Sequence, residues 1–224
     1  MSDGAVVALL TPLAYLLGTF PSATIVANRK GVDIRAEGSG NPGASNTFRT
    51  LGWKAGALVF GMDAAKGALA ALAGLLIAGH RGALVLGIAA ILGHVAPITR
   101  HAGERFKGGR GVATAAGVLL VLYPLIVVGA AVVWGLITWT THKASVASIT
   151  LIVAIPVAVA LTGESWWVVA LLAAVAVVLV ARHADNLRRL ARGVELGIGM
   201  DGDPGTDRTP DPTPDDENDD GENA

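Results

Sequence analysis

The chain has no cysteine, and this absence excludes disulfide bonds and metal sites built from thiolates. Its five histidines are scattered and none belongs to an H-E-x-x-H helix, so we expect no metal site. It also lacks a G-x-x-x-x-G-K-[ST] loop, which argues against chemistry driven by a nucleoside triphosphate. We therefore expect neither a cofactor nor a nucleic-acid partner.

Charged residues are scarce as well. They make up 16% of the chain, whereas 52% of the residues are hydrophobic and occur in long runs rather than in alternation. This composition is typical of an integral membrane protein. A helix perpendicular to the membrane needs about 20 residues to cross the hydrocarbon, so several runs are short, and frequent glycine and proline predict broken, closely packed helices. The seven runs are 5–27, 54–79, 83–99, 111–122, 124–141, 146–161 and 166–182.

The cations predict the orientation of these runs. Nothing basic precedes the first run, which begins just after Asp3, so we interpret it as a span and not as a cleaved signal. With the N-terminus outside, only Arg81 lies on the outer face, which satisfies the positive-inside rule. We expect an all-α integral membrane protein of about seven transmembrane helices, some short or broken, with the C-terminus in the cytoplasm. The fourth run is open to two interpretations, a full crossing or half of a hairpin.

The last 24 residues differ from the rest of the chain. Residues 201–224 carry a net charge of −9, whereas residues 1–200 carry +8. A segment rich in Asp, Pro, Thr and Gly cannot bury a core, so we expect a disordered acidic tail with a solvating role. The predicted organisation is one transmembrane domain, 1–200, followed by the tail, 201–224.

The first polar loop, residues 38–49, combines glycines, small polar residues and Arg49. It matches G-x-G-x-x-G, but a dinucleotide site requires a preceding strand, and this loop follows a membrane span. What remains is an anion site of backbone amides, the Ser39 and Ser45 hydroxyls and a guanidinium group. The alternative is a turn-rich connection in which Arg49 contacts lipid head groups.

A second block, residues 106–114, places three glycines and two cations before an apolar run. Backbone without Cβ atoms beside cationic side chains can hold a phosphate at the membrane surface. Two such loops on one face favour a site for two phosphorylated ligands, because dianions repel one another until they are neutralised.

Two further groups of polar residues accompany these loops. Asp63 and Lys66 lie three positions apart within the second run, and we interpret them as a structural ion pair that could still shape a cavity. His183 and Asn186 have the same spacing after the last run and point one way if the helix continues. For the neighbouring Arg188 and Arg189, we expect a role in topology alone.

In their order, these motifs resemble the bacterial membrane-integral acyl-phosphate:glycerol-3-phosphate acyltransferases over residues 5–196. The H-x4-D dyad of acyltransferases that use coenzyme A is absent. Arg110 stands where the resembled family usually has Lys, which changes the geometry of donation. The stretch 98–105 is about four residues longer than usual, which a surface loop tolerates. The matching segments are 38–46, 63–67, Gly93-His94 with Pro97, 106–114, 143–148 and 183–195.

The resemblance implies a multi-pass enzyme of the bacterial inner membrane whose active site faces the cytoplasm. Such an enzyme transfers a fatty acyl group from acyl phosphate to the 1-hydroxyl of glycerol 3-phosphate, giving lysophosphatidic acid and inorganic phosphate, the first step of phospholipid synthesis. Its partners would be these two substrates and membrane lipid. By position, the catalytic residues would be Ser39, Arg49, Arg110, His183 and Asn186. The substrate-binding residues would be Gly38, Gly40, Asn41, Gly43, Asn46, Lys107, Gly108, Gly109, Gly111 and Ser148.

The chemistry leaves the proton acceptor open. An acyl phosphate carries a good leaving group, so direct attack by the hydroxyl requires no covalent intermediate. Either the donor phosphate or His183 would take the hydroxyl proton. Two rival interpretations of the chain are a transporter for an anionic metabolite and a non-catalytic scaffold. Against transport, the chain has no evident internal repeat, and its cations crowd one face.

Overall fold

The computed structural model describes residues 1–98 and 108–198. Within these two ranges the regular structure consists of nine α-helices and no strand, as the apolar runs predict. Lys107 and the acidic tail lie outside the described residues. The helices are α1 Asp3–Gly18, α2 Ser22–Asn28, α3 Ala44–Leu51, α4 Trp53–Val95, α5 Val112–Leu122, α6 Pro124–Thr141, α7 Ala144–Leu161, α8 Trp166–Arg182 and α9 Ala184–Ala191.

Helix α4 is a hairpin of two limbs. Ala78 (φ −137°, ψ 28°) and Gly79 (φ 61°, ψ −150°) leave the helical conformation, and glycine adopts a positive φ at little cost. A Cβ on Gly74 would collide with the backbone of Gly82, so the two limbs lie directly against each other. The second and third apolar runs correspond to these limbs.

Small residues let α4 contact its neighbours closely. A Cβ on Gly67 would collide with the carbonyl group of Thr114 in α5, and a Cβ on Gly93 would collide with that of Tyr15 in α1. Close backbone approach at small residues is how helices associate where lipid removes the hydrophobic driving force. The paired limbs of α4 therefore lie between α1 and α5.

Four helical segments among the described residues are long and apolar enough to cross a membrane: Asp3–Asn28, Trp53–Val95, Pro124–Thr141 and Ala144–Leu161. The second of these is the α4 hairpin, whose two limbs are counted here as one segment. A fifth is obtained if α8 and α9, bent by 58°, count as one span. Helix α5 has 11 residues and is about 16 Å long, roughly half of the hydrocarbon thickness. The number of about seven crossings and the outside N-terminus stay predictions.

Candidate active site

A polar pocket of about 80 Å³ lies where the first loop, the glycine block and the ends of α7 and α8 meet. Seven of the residues expected from the sequence line it, which brings the first loop, the block at 108–111 and His183 together. The lining residues are Asn41, Gly43, Ala44, Ser45, Arg49, Phe60, Asp63, His94, Arg110, Gly111, Val112, Ala113, Trp134, Ala144, Ser145, Ser148 and His183.

Three helices begin at this pocket. The first residues of α3, α5 and α7 all line it. The first N–H groups of a helix have no partner within the helix and carry partial positive charge, so each of these ends attracts an anion. Gly111 makes the turn into α5 with φ 85°, a conformation that favours glycine. This convergence of helix ends depends on tertiary packing, and sequence analysis missed it.

Arginine side chains add formal charge to the same place. Burial, followed by the neighbouring guanidinium groups of Arg189 and Arg49, lowers the pKa of Arg110 to about 10. Arg110 therefore remains charged at neutral pH, although other cations crowd it. Arg49 Nε donates to the carbonyl of Gly197 at 2.6 Å, which ties the first loop to the C-terminal segment 194–198. A dianion bound here would relieve the mutual repulsion of these cations.

His183 lies at the end of α8 and is buried. Its Nδ1 is 2.8 Å from the carbonyl oxygen of Leu179. A carbonyl only accepts, so Nδ1 carries the proton. Burial lowers the pKa of His183 to about 4, against the effect of this hydrogen bond. The neutral ring therefore keeps an unprotonated Nε2.

Asn186 does not line the pocket. Its Nδ2 donates to Glu195 Oε1 at 2.6 Å, while Arg189 Nε donates to Glu195 Oε2 at 2.8 Å. Burial opposes ionisation of Glu195, but hydrogen bonds from the side chains of Asn186, Ser145 and Arg189, together with the charge of Arg189, outweigh it and leave the pKa of that carboxyl below its ordinary value. The expectation that Arg189 serves topology alone is wrong, because its guanidinium group pairs with a buried carboxylate. Arg188, by contrast, forms an exposed pair with Asp185.

The first loop is organised by Asn46, which is fully buried. Its Nδ2 donates to the carbonyls of Ile34 and Glu37, and its Oδ1 accepts from both the backbone N–H and the hydroxyl of Ser39. All its polar groups thus contact protein, which corrects the expectation of substrate contact. Neither Ser39 nor Gly38 and Gly40 line the pocket, so their effect on a ligand passes through the shape of this loop.

The glycine block packs on its neighbours. Arg182 Nη2 donates to the carbonyl of Gly108 at 2.7 Å. A Cβ on Gly109 would collide with the imidazole of His94, and one on Gly108 with the His94 carbonyl. Both glycines are buried and lie outside the lining, so they serve the conformation of the loop that carries Arg110.

The expected ion pair between Asp63 and Lys66 is formed, with Oδ1 and Nζ 2.7 Å apart. Lys66 also donates to the carbonyl of Phe20 at 2.9 Å, where α1 gives way to α2. Its Nζ also lies 3.1 Å from His94 Nδ1 and donates to the carbonyl of Gly18 at 3.3 Å. Asp63 and His94 both line the pocket, so this group supports the fold and also forms one wall of the site.

An apolar cavity of about 520 Å³ adjoins the polar pocket. Ser148 belongs to both, and its hydroxyl oxygen accepts a hydrogen bond from the indole of Trp134 at 3.1 Å. The hydroxyl proton of Ser148 remains available to a ligand. The residues common to the two cavities are Ala44, Ser45, Phe60, Val112, Trp134 and Ser148.

The model of the family described as "Glycerol-3-phosphate acyltransferase" matches residues 8–193. This chain belongs to that family. Among its relatives, the glycerol-3-phosphate acyltransferase of Bacillus cytotoxicus is 42% identical over 188 residues, covering 84% of this chain and 92% of the relative. That of Geobacter sulfurreducens is 40% identical over 192 residues, covering 84% and 95%.

Solved structures of the glycerol-3-phosphate acyltransferase family resemble this chain in fold. The glycerol 3-phosphate form of PlsY (YgiH), an integral membrane glycerol 3-phosphate acyltransferase, matches with a TM-score of 0.80 and 35% identity, covering 87% of this chain and 96% of that one. Its lysophosphatidic acid form matches with a TM-score of 0.76 and the same identity, covering 86% and 95%.

Several residues of this acyltransferase-family site were not assigned from the sequence. Trp134 lies in an apolar helix and carried no signal. Ser145 and Glu195 belong to motifs that matched only by resemblance, and Arg182 was given no individual role. Asp63 was recognisable, since an ionisable residue inside a span usually faces a cavity or a partner. In residues 1–98 and 108–198, no cluster of three or more His, Asp or Glu residues could hold a metal ion.

Proposed function

We propose that this protein transfers a fatty acyl group from acyl phosphate to the 1-hydroxyl of glycerol 3-phosphate, giving lysophosphatidic acid and inorganic phosphate. The observation that carries the proposal is that the polar pocket and the apolar cavity adjoin and share lining residues. A pocket with three helix N-termini and two arginines suits phosphates, and it continues into an apolar space that suits an acyl chain. The substrate that spans both is an acyl chain ending in phosphate.

The charged part of the site would hold both reactants. Arg110, Arg49 and the ends of α3, α5 and α7 surround one small volume. Two dianions held there are brought within reach of each other, and their mutual repulsion is cancelled by fixed charge. The Ser148 hydroxyl, at the boundary with the apolar cavity, is placed to donate to the carbonyl end of the acyl chain.

The proposed reaction is a direct displacement. The hydroxyl oxygen of glycerol 3-phosphate forms a bond to the acyl carbonyl carbon, and the bond from that carbon to the phosphate oxygen breaks. The hydroxyl proton passes to the phosphate that leaves. His183 is a poor rival as base, because burial lowers its pKa to about 4 and an efficient base has a pKa near the working pH. Its unprotonated Nε2 instead accepts from the hydroxyl and orients it.

We also propose that the site faces the cytoplasm of a bacterial inner membrane, in a transmembrane domain of residues 1–200 with about seven crossings, an outside N-terminus and a cytoplasmic acidic tail, 201–224. The distribution of Lys and Arg supports this arrangement. Arg49 and Arg110, which line the pocket, are among the cations that this arrangement assigns to the cytoplasmic side.

A two-substrate assay tests the function. Purified protein in lipid mesophase is given acyl phosphate and glycerol 3-phosphate, and inorganic phosphate and lysophosphatidic acid are measured. We expect equimolar products only when both substrates are present. Phosphate release that ignores glycerol 3-phosphate would contradict acyl transfer. Uptake of either anion into vesicles without product would instead support a transporter.

A further inference from the structure

The apolar cavity is elongated and runs along α5, α7, α8 and the second limb of α4. On α5 its lining extends from Val112, which also lines the polar pocket, to Leu119. On α7 it extends from Ser148, which is likewise shared, to Pro156. Both separations correspond to about two helical turns, or about 10–12 Å. The cavity therefore has a near end at the pocket and a far end deeper in the helix bundle.

Three leucines lie at the far end. Leu84 in the second limb of α4, Leu119 in α5 and Leu172 in α8 line the cavity, are buried and belong to one apolar cluster. Farther from the pocket, Val159 of α7 and Val168 of α8 belong to the same cluster, are fully buried and do not line the cavity. The far end is therefore closed by packed side chains.

A polar contact joins the turns behind this cluster. The hydroxyl group of Tyr123, in the turn between α5 and α6, lies 3.1 Å from Nε2 of His80 in α4. The rings of these two residues also meet edge to face. Because Tyr123 packs against the leucine cluster as well, this contact helps to hold the far end closed.

Side chains along the middle of the cavity are small. Helix α5 contributes Ala115 and Ala116 there, and α8 contributes Ala176. A methyl side chain leaves room for a straight acyl chain beside it, whereas a buried leucine fills that room. The order of residue sizes favours a chain that lies along the alanines and ends at the leucines.

The near half of the cavity is open on one side. Trp53 and Phe60, in the first limb of α4, line the cavity but are 60% and 48% exposed. An acyl chain can enter here from the surrounding lipid while its carbonyl end stays at the polar pocket. A chain too long for the space would have to displace buried leucines or turn back toward this exposed side.

We infer that Leu84, Leu119 and Leu172 determine the longest acyl chain that the enzyme accepts, because they stop the terminal methyl group at the closed end of the cavity. This inference rests on the proposed function and names the donor specificity of the same site. A chain that leaves lipid for this cavity exchanges one apolar environment for another. Selection among chain lengths therefore comes from steric exclusion, and the first carbon beyond the limit should lower kcat/KM by about tenfold or more.

Two leucine substitutions on one helix segment test the end wall. Leu119 lines the cavity, whereas Leu122 packs against the same cluster and does not line it. Each is changed to Ala, and kcat/KM is measured with saturated acyl phosphates of increasing chain length. Leu119→Ala removes about three carbon atoms from the end wall, so we expect the longest accepted chain to grow by about two carbons. Leu122→Ala should keep the wild-type limit, although it removes the same atoms from the cluster.

The reverse change should shorten the limit. Ala116→Leu places a branched side chain in the middle of the cavity, so we expect the longest accepted chain to lose about two carbons or more. Chains shorter than the new limit should still react. A wild type without an upper limit of chain length, or identical limits in Leu119→Ala and Leu122→Ala, would overturn the proposal.

Photo-crosslinking of the wild type covers the case in which the variants do not fold. Acyl phosphates with a diazirine at the terminal carbon are irradiated with the full chain in lipid mesophase, without glycerol 3-phosphate. We expect the longest accepted chain to form adducts at Leu84, Leu119 or Leu172, and shorter chains to react nearer the alanines. Adducts of the longest chain at Trp53 or on lipid alone would refute the assignment. Failure of the proposed acyl transfer appears separately, as a wild type that makes no lysophosphatidic acid at any chain length.

Discussion

The side-chain nitrogen of Asn186 lies 2.6 Å from Oε1 of Glu195, and this contact joins α9 to the C-terminal segment. The carboxylate is buried, and its second oxygen is held by Arg189. One of the two N–H donors of the Asn186 amide is therefore used within the protein, and the residue does not line the pocket. This bond holds α9 against the C-terminal segment.

Replacing Glu195 by Gln should destabilise the protein. The change removes the charge that Arg189 pairs with and turns one acceptor oxygen into a donor that faces other donors. Breaking a buried ion pair costs about 3–5 kcal/mol. We expect a lower unfolding temperature in detergent, with Arg188→Ala as the control, because its exposed pair contributes about 0–1 kcal/mol. Equal unfolding temperatures in the two variants would contradict a structural role for Glu195.

His183→Asn should keep most of the turnover number. The Asn amide can still donate to the Leu179 carbonyl, while the Nε2 acceptor is lost. If the leaving phosphate takes the proton, kcat should fall less than the factor of about 10² to 10⁴ that a general base provides, while the KM for glycerol 3-phosphate rises. Steady-state kinetics at saturating substrate decides this. A fall in kcat of more than about 10²-fold would instead support His183 as the general base.

The low pKa of His183 also predicts a dependence of stability on pH. The unfolded chain binds the proton near pH 6.5, but the folded chain only near pH 4, because the ring is buried. Between these values the unfolded state binds more protons, so stability rises with pH and is complete above 6.5. We expect the unfolding temperature of the wild type to fall from pH 6.5 to 4.5 more steeply than that of His183→Asn. Arg110 and Glu195, the charged neighbours of this ring, are present in both proteins and do not cause the difference. Parallel curves of unfolding temperature against pH would contradict the low pKa of His183.

Arg110 offers a test of charge against geometry. Arg110→Lys keeps the positive charge but loses the planar set of donors, whereas Arg110→Ala loses both. We expect Arg110→Ala to raise the KM of at least one phosphate substrate by about tenfold or more, and Arg110→Lys to remain closer to the wild type. Initial rates over both substrates measure this. If Arg110→Ala keeps the wild-type KM for both phosphate substrates, Arg110 does not belong to the site.

Because the chain has no cysteine, its orientation can be tested with single introduced thiols. Ser2→Cys and Arg81→Cys should react with a membrane-impermeant thiol reagent in intact cells. Arg192→Cys should react only after permeabilisation, and the unmodified chain provides the blank. Labelling of Arg192→Cys in intact cells would reverse the proposed topology and place the pocket on the outer face.

Sequence analysis recovered the loops that form the pocket more reliably than the individual contacts within it. Arg49, Arg110 and His183 were expected to share a site, and they line one pocket. Asn46 carries the right chemistry for binding a phosphate, but its polar groups contact Ile34, Glu37 and Ser39. Amide side chains serve loops and ligands equally well, and only their surroundings tell the two roles apart.

The sequence by itself determined the all-helical membrane character, the cationic glycine loops and the family, because each is encoded in composition or in local order along the chain. The tertiary structure alone decided that three helix N-termini meet at one pocket and that Lys66 contacts His94, 28 residues away. The physical reason is that a hydrogen-bonding group has only a few partners. Packing brings those partners together from distant parts of the chain, and their spacing in sequence carries no trace of it.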